Sequence, residues 1–277
     1  MSSFENWKTA LSISVFTREF IDEVKAAGID TVEISPRRND LGVIDWVQLK
    51  RDLEEAGVCA RSFHLPFARN IYNIAHLDKD VRKMSIQDAK HYLEKAAFFG
   101  SRIAVVHPSS EPIETEDRAA ALENSINGLR ELADHAEGLG IRLAVENLPR
   151  TCLCRDAAEM RAILDSDRRL GFCFDVNHLL TDTHENMVRT CGDRLVTLHI
   201  SDYDFMDERH CIPGDGTIDF GKLITMLEST GYDDAFTYEV NLGGSSKEEF
   251  SFPPYTPRDI AANKKNLRSV TGEGKKI

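Results

Sequence analysis

The sequence lacks the features of several large protein classes. No apolar stretch approaches the roughly 18 residues that suggest a membrane-spanning helix. The first residues contain no basic region followed by an apolar run, so they do not resemble a secretory signal peptide. Only six cysteines are scattered along 277 residues, which is typical of reduced thiols rather than a disulfide framework. We therefore expect a cytoplasmic protein without a membrane partner.

Basic residues are also in deficit. The chain has 46 acidic and 34 basic residues, and its net charge is −12. Such a chain repels polyanions and lacks the basic stripe of nucleic-acid-binding proteins. A nucleic-acid partner is therefore not expected, although the overall balance does not exclude a local positive cleft.

Short apolar runs alternate with amphipathic helical stretches along the chain. Near-continuous apolar runs are typical of strands buried on both faces. The predicted strands are Leu11–Phe16, Asp30–Ser35, Cys59–His64, Ile103–His107, Arg142–Glu146, Gly171–Asp175, Leu195–Ile200 and Ala235–Val240. Eight strands alternating with helices favour an α/β fold, specifically a (β/α)8 TIM barrel. We expect one domain over residues 1–277, with the barrel at about 11–270 and a tail at 271–277.

Side chains able to bind metals close six consecutive predicted strands. They are His64, His107, Glu146, Asp175, His199 and Glu239, and Glu33 lies near the end of the second strand. One such residue could simply mark the end of a buried run, but six in succession indicate a shared site at the rim where barrel active sites lie. Clustered carboxylates repel one another unless a cation offsets them. The pattern therefore predicts a divalent metal with mixed nitrogen and oxygen ligands.

Two loops add weaker signals. His178 follows Asp175 by three residues, and Glu208-Arg209-His210 precedes a Pro-Gly turn. Both segments fall in loops expected to open on the same rim. His184 lies in a polar connection and is expected at the surface, while Trp7 has no clear role.

The strand ends and these loops resemble the xylose isomerase-like TIM-barrel superfamily. The segments that carry the resemblance are Phe63-His-Leu-Pro66, Val106-His-Pro108, Val145-Glu-Asn147, Phe174-Asp-Val-Asn-His178, Leu198-His-Ile-Ser-Asp202, Glu208-Arg-His210 with Pro213-Gly-Asp-Gly216, and Tyr238-Glu239. The superfamily includes sugar-phosphate isomerases and epimerases, hydroxypyruvate isomerases, inosose dehydratases and the endonuclease IV branch, also called AP endonuclease family 2. The resemblance spans about residues 11–240. It identifies the superfamily but not the substrate.

Similarity to the ketose 3-epimerases implies one metal, held by Glu146, Asp175, His199 and Glu239. It also implies that the two glutamates are catalytic and transfer a proton across the substrate. His178 and, with one residue of slippage, Arg209 match residues that contact substrate. The implied enzyme is a divalent-metal-dependent (Mn, Mg, Co or Zn) isomerase or epimerase of a sugar or sugar phosphate. It would act by proton transfer through an enediolate.

Similarity to the endonuclease IV branch implies an alternative, a metal-dependent phosphodiester hydrolase with three zinc ions. Its ligands correspond to His64, His107, Glu146, Asp175, His178, His199, His210 and Glu239, with Glu208 where that branch has an aspartate. The net charge of −12 and Asn177, where that branch usually has a cysteine, argue against this alternative. A non-catalytic metal-binding barrel is a third hypothesis, which the two intact glutamates disfavour.

The residues outside the four-ligand set carry a less specific prediction. We expect them to bind a second metal or the substrate; they are His64, His107, His178, Glu208, Arg209 and His210. The sequence does not decide whether the chain forms a homo-oligomer.

Overall fold

A computed structural model describes residues 3–68 and 71–270, so the predicted tail at 271–277 lies outside the described residues. Eight strands and eight helices alternate, and a short hairpin follows the eighth strand. The strands are β1 Thr9–Ile13, β2 Thr31–Ile34, β3 Cys59–His64, β4 Ile103–Val106, β5 Arg142–Glu146, β6 Gly171–Asp175, β7 Leu195–His199 and β8 Phe236–Tyr238, with β9 Ser245–Lys247 and β10 Phe250–Phe252 in the hairpin. The helices are α1 Arg18–Ala26, α2 Trp46–Ala56, α3 Lys79–Phe99, α4 Arg118–Gly138, α5 Ala157–Ser166, α6 His184–Cys191, α7 Phe220–Ser229 and α8 Pro257–Lys264.

Strands β1 to β8 form one closed ring of parallel strands. The strands pair in the order β7-β6-β5-β4-β3-β2-β1-β8. The amide of Ile200 donates to Thr237 O at 2.9 Å and the amide of Glu239 donates to Ile200 O at 2.9 Å, which joins the last two strands. The predicted (β/α)8 TIM barrel is therefore confirmed. Strands β3, β5 and β6 have the predicted bounds, and the others differ by one to three residues at their ends.

Local sequence signals start and stop the helices around the ring. Asp45 caps α2, because its carboxylate accepts hydrogen bonds from the amides of Val47 and Gln48. Gly57 ends the same helix with a φ of 65°, a left-handed conformation that a glycine adopts without strain. Among the described residues, no helix combines the length and apolarity needed to cross a membrane.

Aromatic rings close the N-terminal end of the barrel. Trp7 is 2% exposed and its ring lies 5.1 Å from that of Tyr232 and 5.6 Å from that of Phe4. Phe4 in turn lies 5.1 Å from Phe236. Trp7, for which the sequence suggested no role, is thus part of the plug beneath the barrel.

The six cysteines are all free. Cys59, the first residue of β3, is exposed, and the other five are buried. Cys173 lies inside β6 among apolar neighbours, where it packs as a small core residue.

Candidate metal centre

Four side chains from the C-terminal ends of β5 to β8 meet at one point. Each of these residues offers one ligand atom, and the four atoms lie within 4.8 Å of one another; the residues are Glu146, Asp175, His199 and Glu239. Glu146, Asp175 and His199 are the last residues of their strands, and Glu239 directly follows β8. Because parallel strands deliver their final residues to the same rim, four separate segments of sequence form one donor group.

Hydrogen bonds fix the backbone of Asp175 and one of its two carboxylate oxygens. Its backbone amide donates to Asn147 Oδ1 and its carbonyl accepts from Asn147 Nδ2, both at 2.8 Å. Its Oδ1 accepts from the amide of Asn177 at 2.7 Å, whereas its buried Oδ2 has no hydrogen-bond partner among the described residues. A buried carboxylate oxygen without a partner is costly, and a cation ligated there would remove that cost.

The electrostatics of the group also fit a cation. Burial raises the pKa of the Asp175 carboxyl well above its usual range, and the neighbouring Glu239 and Glu146 raise it further. For Glu146, burial raises the pKa but His199 and His107 outweigh it, so the pKa lies well below its usual range. A divalent ion would offset the repulsion among the three carboxylates, and mixed oxygen and nitrogen donors suit Mn, Co or Zn, with Mg also possible for carboxylates.

Glu146 is the hub of the surrounding histidines. Its Oε2 lies 3.1 Å from Nε2 of His64 and 3.1 Å from Nε2 of His107. Its Oε1 lies 3.0 Å from Nδ1 of His199 and 3.6 Å from Nδ1 of His178. These contacts fix the Glu146 carboxylate in orientation although it is almost completely buried.

Glu33 backs His199 from the barrel interior. Its Oε1 lies 3.0 Å from Nε2 of His199, and the hydroxyls of Ser12 and Ser62 donate to its two oxygens at 3.1 and 2.8 Å. The contact is an ion pair without hydrogen-bond geometry among the described residues. A carboxylate beside the far nitrogen is common among metal-binding histidines and helps to position the ring. Sequence reasoning placed Glu33 near the rim without this role; the signal was a glutamate inside the apolar run Thr31–Ile34.

Two further donor groups adjoin the first. His64 and His107 form one with Glu146, and His178, Glu208 and His210 form the other. The Nδ1 of His178 lies 2.9 Å from Asn147 O, so the residue that fixes Asp175 also orients this histidine. The structure thus brings together every residue of the predicted site except one.

Arg209 is the exception. Its Nε and Nη2 lie 3.0 and 2.9 Å from Asp204 Oδ2, and its guanidinium lies 5.1 Å from the centre of the Phe250 ring. The side chain is therefore engaged within the loops and is not among the residues that line the cavity over the donor groups. Its predicted contact with substrate stays a prediction.

His184 is buried, so its predicted surface position is wrong. Its Nε2 donates to Val176 O at 2.8 Å, and its ring packs near Phe174 and Phe205. Burial lowers its pKa to about 4. The neutral imidazole thus supports the loop that links Asp175 to His178.

A cavity of ≈ 340 Å³ opens over the donor groups. Its wall contains the metal-binding candidates together with Phe67 and Arg150; the candidates are His64, His107, Glu146, His178, Glu208, His210 and Glu239. Phe67 stacks on His107 with ring centres 4.1 Å apart. The guanidinium of Arg150 is neutralised, because it lies 2.8 Å from Glu111 and 2.9 Å from Glu208. The volume suits a small molecule.

Comparisons with known proteins bear on the family and the fold of the chain. The model of the family described as xylose isomerase-like TIM barrel matches residues 21–258. The chain belongs to this family. Within the xylose isomerase-like TIM barrels, members differ in chemistry, so membership alone does not assign a reaction.

Individual relatives are distant. An uncharacterized protein of Methanocaldococcus jannaschii is 28% identical over 185 residues, which is 64% of this chain and 62% of that protein. A probable endonuclease 4 of Thermoplasma acidophilum is 28% identical over 196 residues, 64% of this chain and 66% of that protein. The chain thus spans less than two thirds of either relative.

A solved structure titled as a D-tagatose 3-epimerase-like protein superimposes with a TM-score of 0.74 at 22% identity. It covers 95% of this chain and 96% of its own. At this identity the likeness establishes the fold.

Proposed function

We propose that this protein is a divalent-metal-dependent isomerase or epimerase of a sugar or sugar phosphate, acting by proton transfer through an enediolate. The observation that carries the proposal is the pair Glu146 and Glu239, which belong to one donor group with Asp175 and His199 and both line the cavity. The likeness to an epimerase-like structure supports the same reaction class.

Glu146, Asp175, His199 and Glu239 would hold the metal. Their donor types fit a divalent cation, as does Asp175 Oδ2, which accepts no hydrogen bond from residues 3–68 and 71–270. When bound, such an ion acts as a Lewis acid that polarises a carbonyl oxygen.

The two glutamates divide the proton transfer. Glu239 has 23% of its side chain exposed and borders the cavity, so it can reach a carbon-bound proton of a substrate lying there. Glu146, oriented by His64 and His107, presents its carboxylate at another strand end of the same cavity wall. One carboxylate removes the proton and the other returns it, which inverts the carbon or moves the carbonyl.

A phosphodiester hydrolase is the second candidate. It is favoured by the two further donor groups, His64–His107–Glu146 and His178–Glu208–His210, because clustered metal ions are a common device for phosphodiester cleavage. The probable endonuclease 4 among the relatives agrees with this candidate. The net charge of −12 weighs against a DNA substrate.

Three measurements on metal-loaded protein separate the two candidates. Elemental analysis counts ions per chain, and we expect one tightly bound ion for the isomerase and three for the hydrolase. Incubation with ketoses, ketose phosphates and hydroxypyruvate in deuterated water should give substrate-dependent deuterium incorporation. Turnover without deuterium incorporation would contradict proton transfer through solvent-exchanging glutamates, and cleavage of abasic DNA at enzymatic rates would establish the hydrolase instead.

A further inference from the structure

We propose that a second cavity beside the metal centre binds an anionic group of the substrate, a phosphate or a carboxylate. The inference rests on the proposed isomerase function and narrows its substrate class to sugar phosphates or sugar acids.

The second cavity is contiguous with the first. It has a volume of ≈ 380 Å³ and lies where β1 and β2 end. Phe67 and Glu239 line both cavities. A substrate whose reacting carbon faces Glu239 can therefore extend past Phe67 into the second cavity.

The wall of the second cavity is rich in hydrogen-bond donors. Its lining residues include Ser14, Ser35, Arg37 and Arg38, together with Ser12, whose hydroxyl donates to Glu33. Ser14 Oγ accepts a hydrogen bond from Arg37 Nε at 3.1 Å, which holds that guanidinium at the wall. Hydroxyls and guanidinium groups are the side chains that bind phosphate and carboxylate oxygens most readily.

Charge distinguishes this cavity from its neighbour. Arg150, in the first cavity, lies within 2.9 Å of Glu111, Asp207 and Glu208. In contrast, no carboxylate of the described residues lies within 4.0 Å of Arg37 or Arg38.

The positive charge of the second cavity is therefore not neutralised by ion pairs. Among the residues that the structure describes, the one acidic residue in its wall is Glu239, at the junction with the first cavity. In a chain with a net charge of −12, a local cationic cavity next to the catalytic residues attracts an anion that the rest of the surface repels.

The loop after β8, where many barrels bind phosphate, does not supply this feature. The segment Gly243–Ser246 includes the first two residues of β9 and does not line the second cavity. The cationic groups instead follow β2.

A binding experiment tests the anion site without turnover. Metal-loaded wild type, the double variant R37A/R38A and the control R51A are titrated with inorganic phosphate and, separately, with D-gluconate by calorimetry. Arg51 is exposed on α2 and lines neither cavity. We expect the double variant to bind at least one of the two anions about tenfold or more weakly, as loss of charge-assisted hydrogen bonds predicts, and R51A to bind like wild type. Equal affinities in the three proteins, or no binding of either anion by wild type, would overturn the proposal.

A substrate experiment then identifies the anion. Deuterium exchange is compared for D-fructose, D-fructose 6-phosphate and D-fructuronate, and for the corresponding forms of any other ketose that reacts. We expect the phosphate or the uronate to have the highest kcat/KM in wild type, and R37A/R38A to lose that preference. Preference for the neutral ketose in wild type would overturn the anion site and leave the isomerase function intact. Arginine-dependent anion binding without exchange on any ketose would refute the isomerase function alone.

Discussion

The two ends of the barrel both carry clusters of ring side chains, but one cluster is packed and apolar and the other surrounds charged carboxylates. At the N-terminal end, Phe4 packs edge against face on both Trp7 and Phe236, and the charged groups near these rings, Lys264 and Arg268, lie over the ring of Phe4. At the C-terminal end, His64 and His107 lie at a comparable ring separation of 5.0 Å, but they surround the Glu146 carboxylate. The first end stabilises the fold, whereas the second crowds like charges and leaves Asp175 Oδ2 without a hydrogen-bond partner in the part of the chain that the structure describes. Stability and chemistry should therefore respond to different substitutions.

The largest expected effect is on turnover, at the C-terminal end. Glu239→Gln should lower kcat about 10²–10⁴-fold, because an amide cannot accept the proton, while the thermal midpoint changes little. Steady-state kinetics and a thermal melt measure both. Glu249→Gln, an exposed change in the hairpin after β8, should retain full turnover. Undiminished turnover in Glu239→Gln would remove this residue from catalysis.

At the N-terminal end, Trp7→Ala should lower the free energy of unfolding by about 3–5 kcal/mol, since it leaves a large hole among packed rings. Urea denaturation measures the loss. Val43, which is 81% exposed, supplies the control: Val43→Ala should change stability by less than about 0.5 kcal/mol. Metal affinity of Trp7→Ala at a temperature where it is folded should equal that of wild type. A loss of metal affinity would show that packing at the N-terminal end also affects the metal centre.

His184 is an exception to this division, because it lies next to the metal centre but affects the free energy of unfolding. Its folded pKa is about 4, below the ordinary value of about 6.5, so the unfolded chain binds its proton first. Stability is therefore lost as the pH falls from about 6.5 toward 4, by up to about 3 kcal/mol.

Denaturation at pH 7 and 4.5 should show a smaller pH dependence in His184→Gln than in wild type. Taking the difference between the two proteins removes the contribution of the many carboxylates that also titrate in this range. Parallel pH profiles would contradict the buried, neutral state of this imidazole.

The smallest expected effect concerns Glu33. Glu33→Gln should weaken metal binding about 10–100-fold, because His199 loses the carboxylate paired with its far nitrogen. Competition with a chelator measures the affinity. Ser62→Ala, which removes one hydrogen bond to Glu33, should weaken it less. Unchanged affinity in Glu33→Gln would mean that His199 is positioned by its other contacts.

The fold was predictable because strands buried on both faces leave apolar runs that are visible in the sequence. Six metal-binding candidates were visible for a related reason, since each closes such a run and parallel strands bring those ends together; they are His64, His107, Glu146, Asp175, His199 and Glu239. Cys59–His64 and Gly171–Asp175 even have the predicted bounds.

Contacts between distant segments left no such signal. Trp7 packs on Tyr232 and Phe236, more than 200 residues away along the chain. His184 is expected in a loop from its sequence and is buried because its ring packs near Phe174 and near Phe205 from the segment after β7. Likewise, the position of Glu33 was noted, but its pairing with His199 depends on the closure of the ring. The periodicity of apolar residues indicates which face of a helix or strand is buried, but it does not indicate which loops cover that face.

The positions of the six thiols allow unfolding to be followed by chemical labelling. Cys59 is exposed at the beginning of β3, at the end of the barrel away from the metal centre, and the other five cysteines are buried. A thiol-specific reagent should therefore label the folded protein once and the unfolded protein six times. A fluorophore attached at Cys59 would leave the metal-binding side chains untouched. Thiol counting could then follow unfolding of each variant independently of its activity.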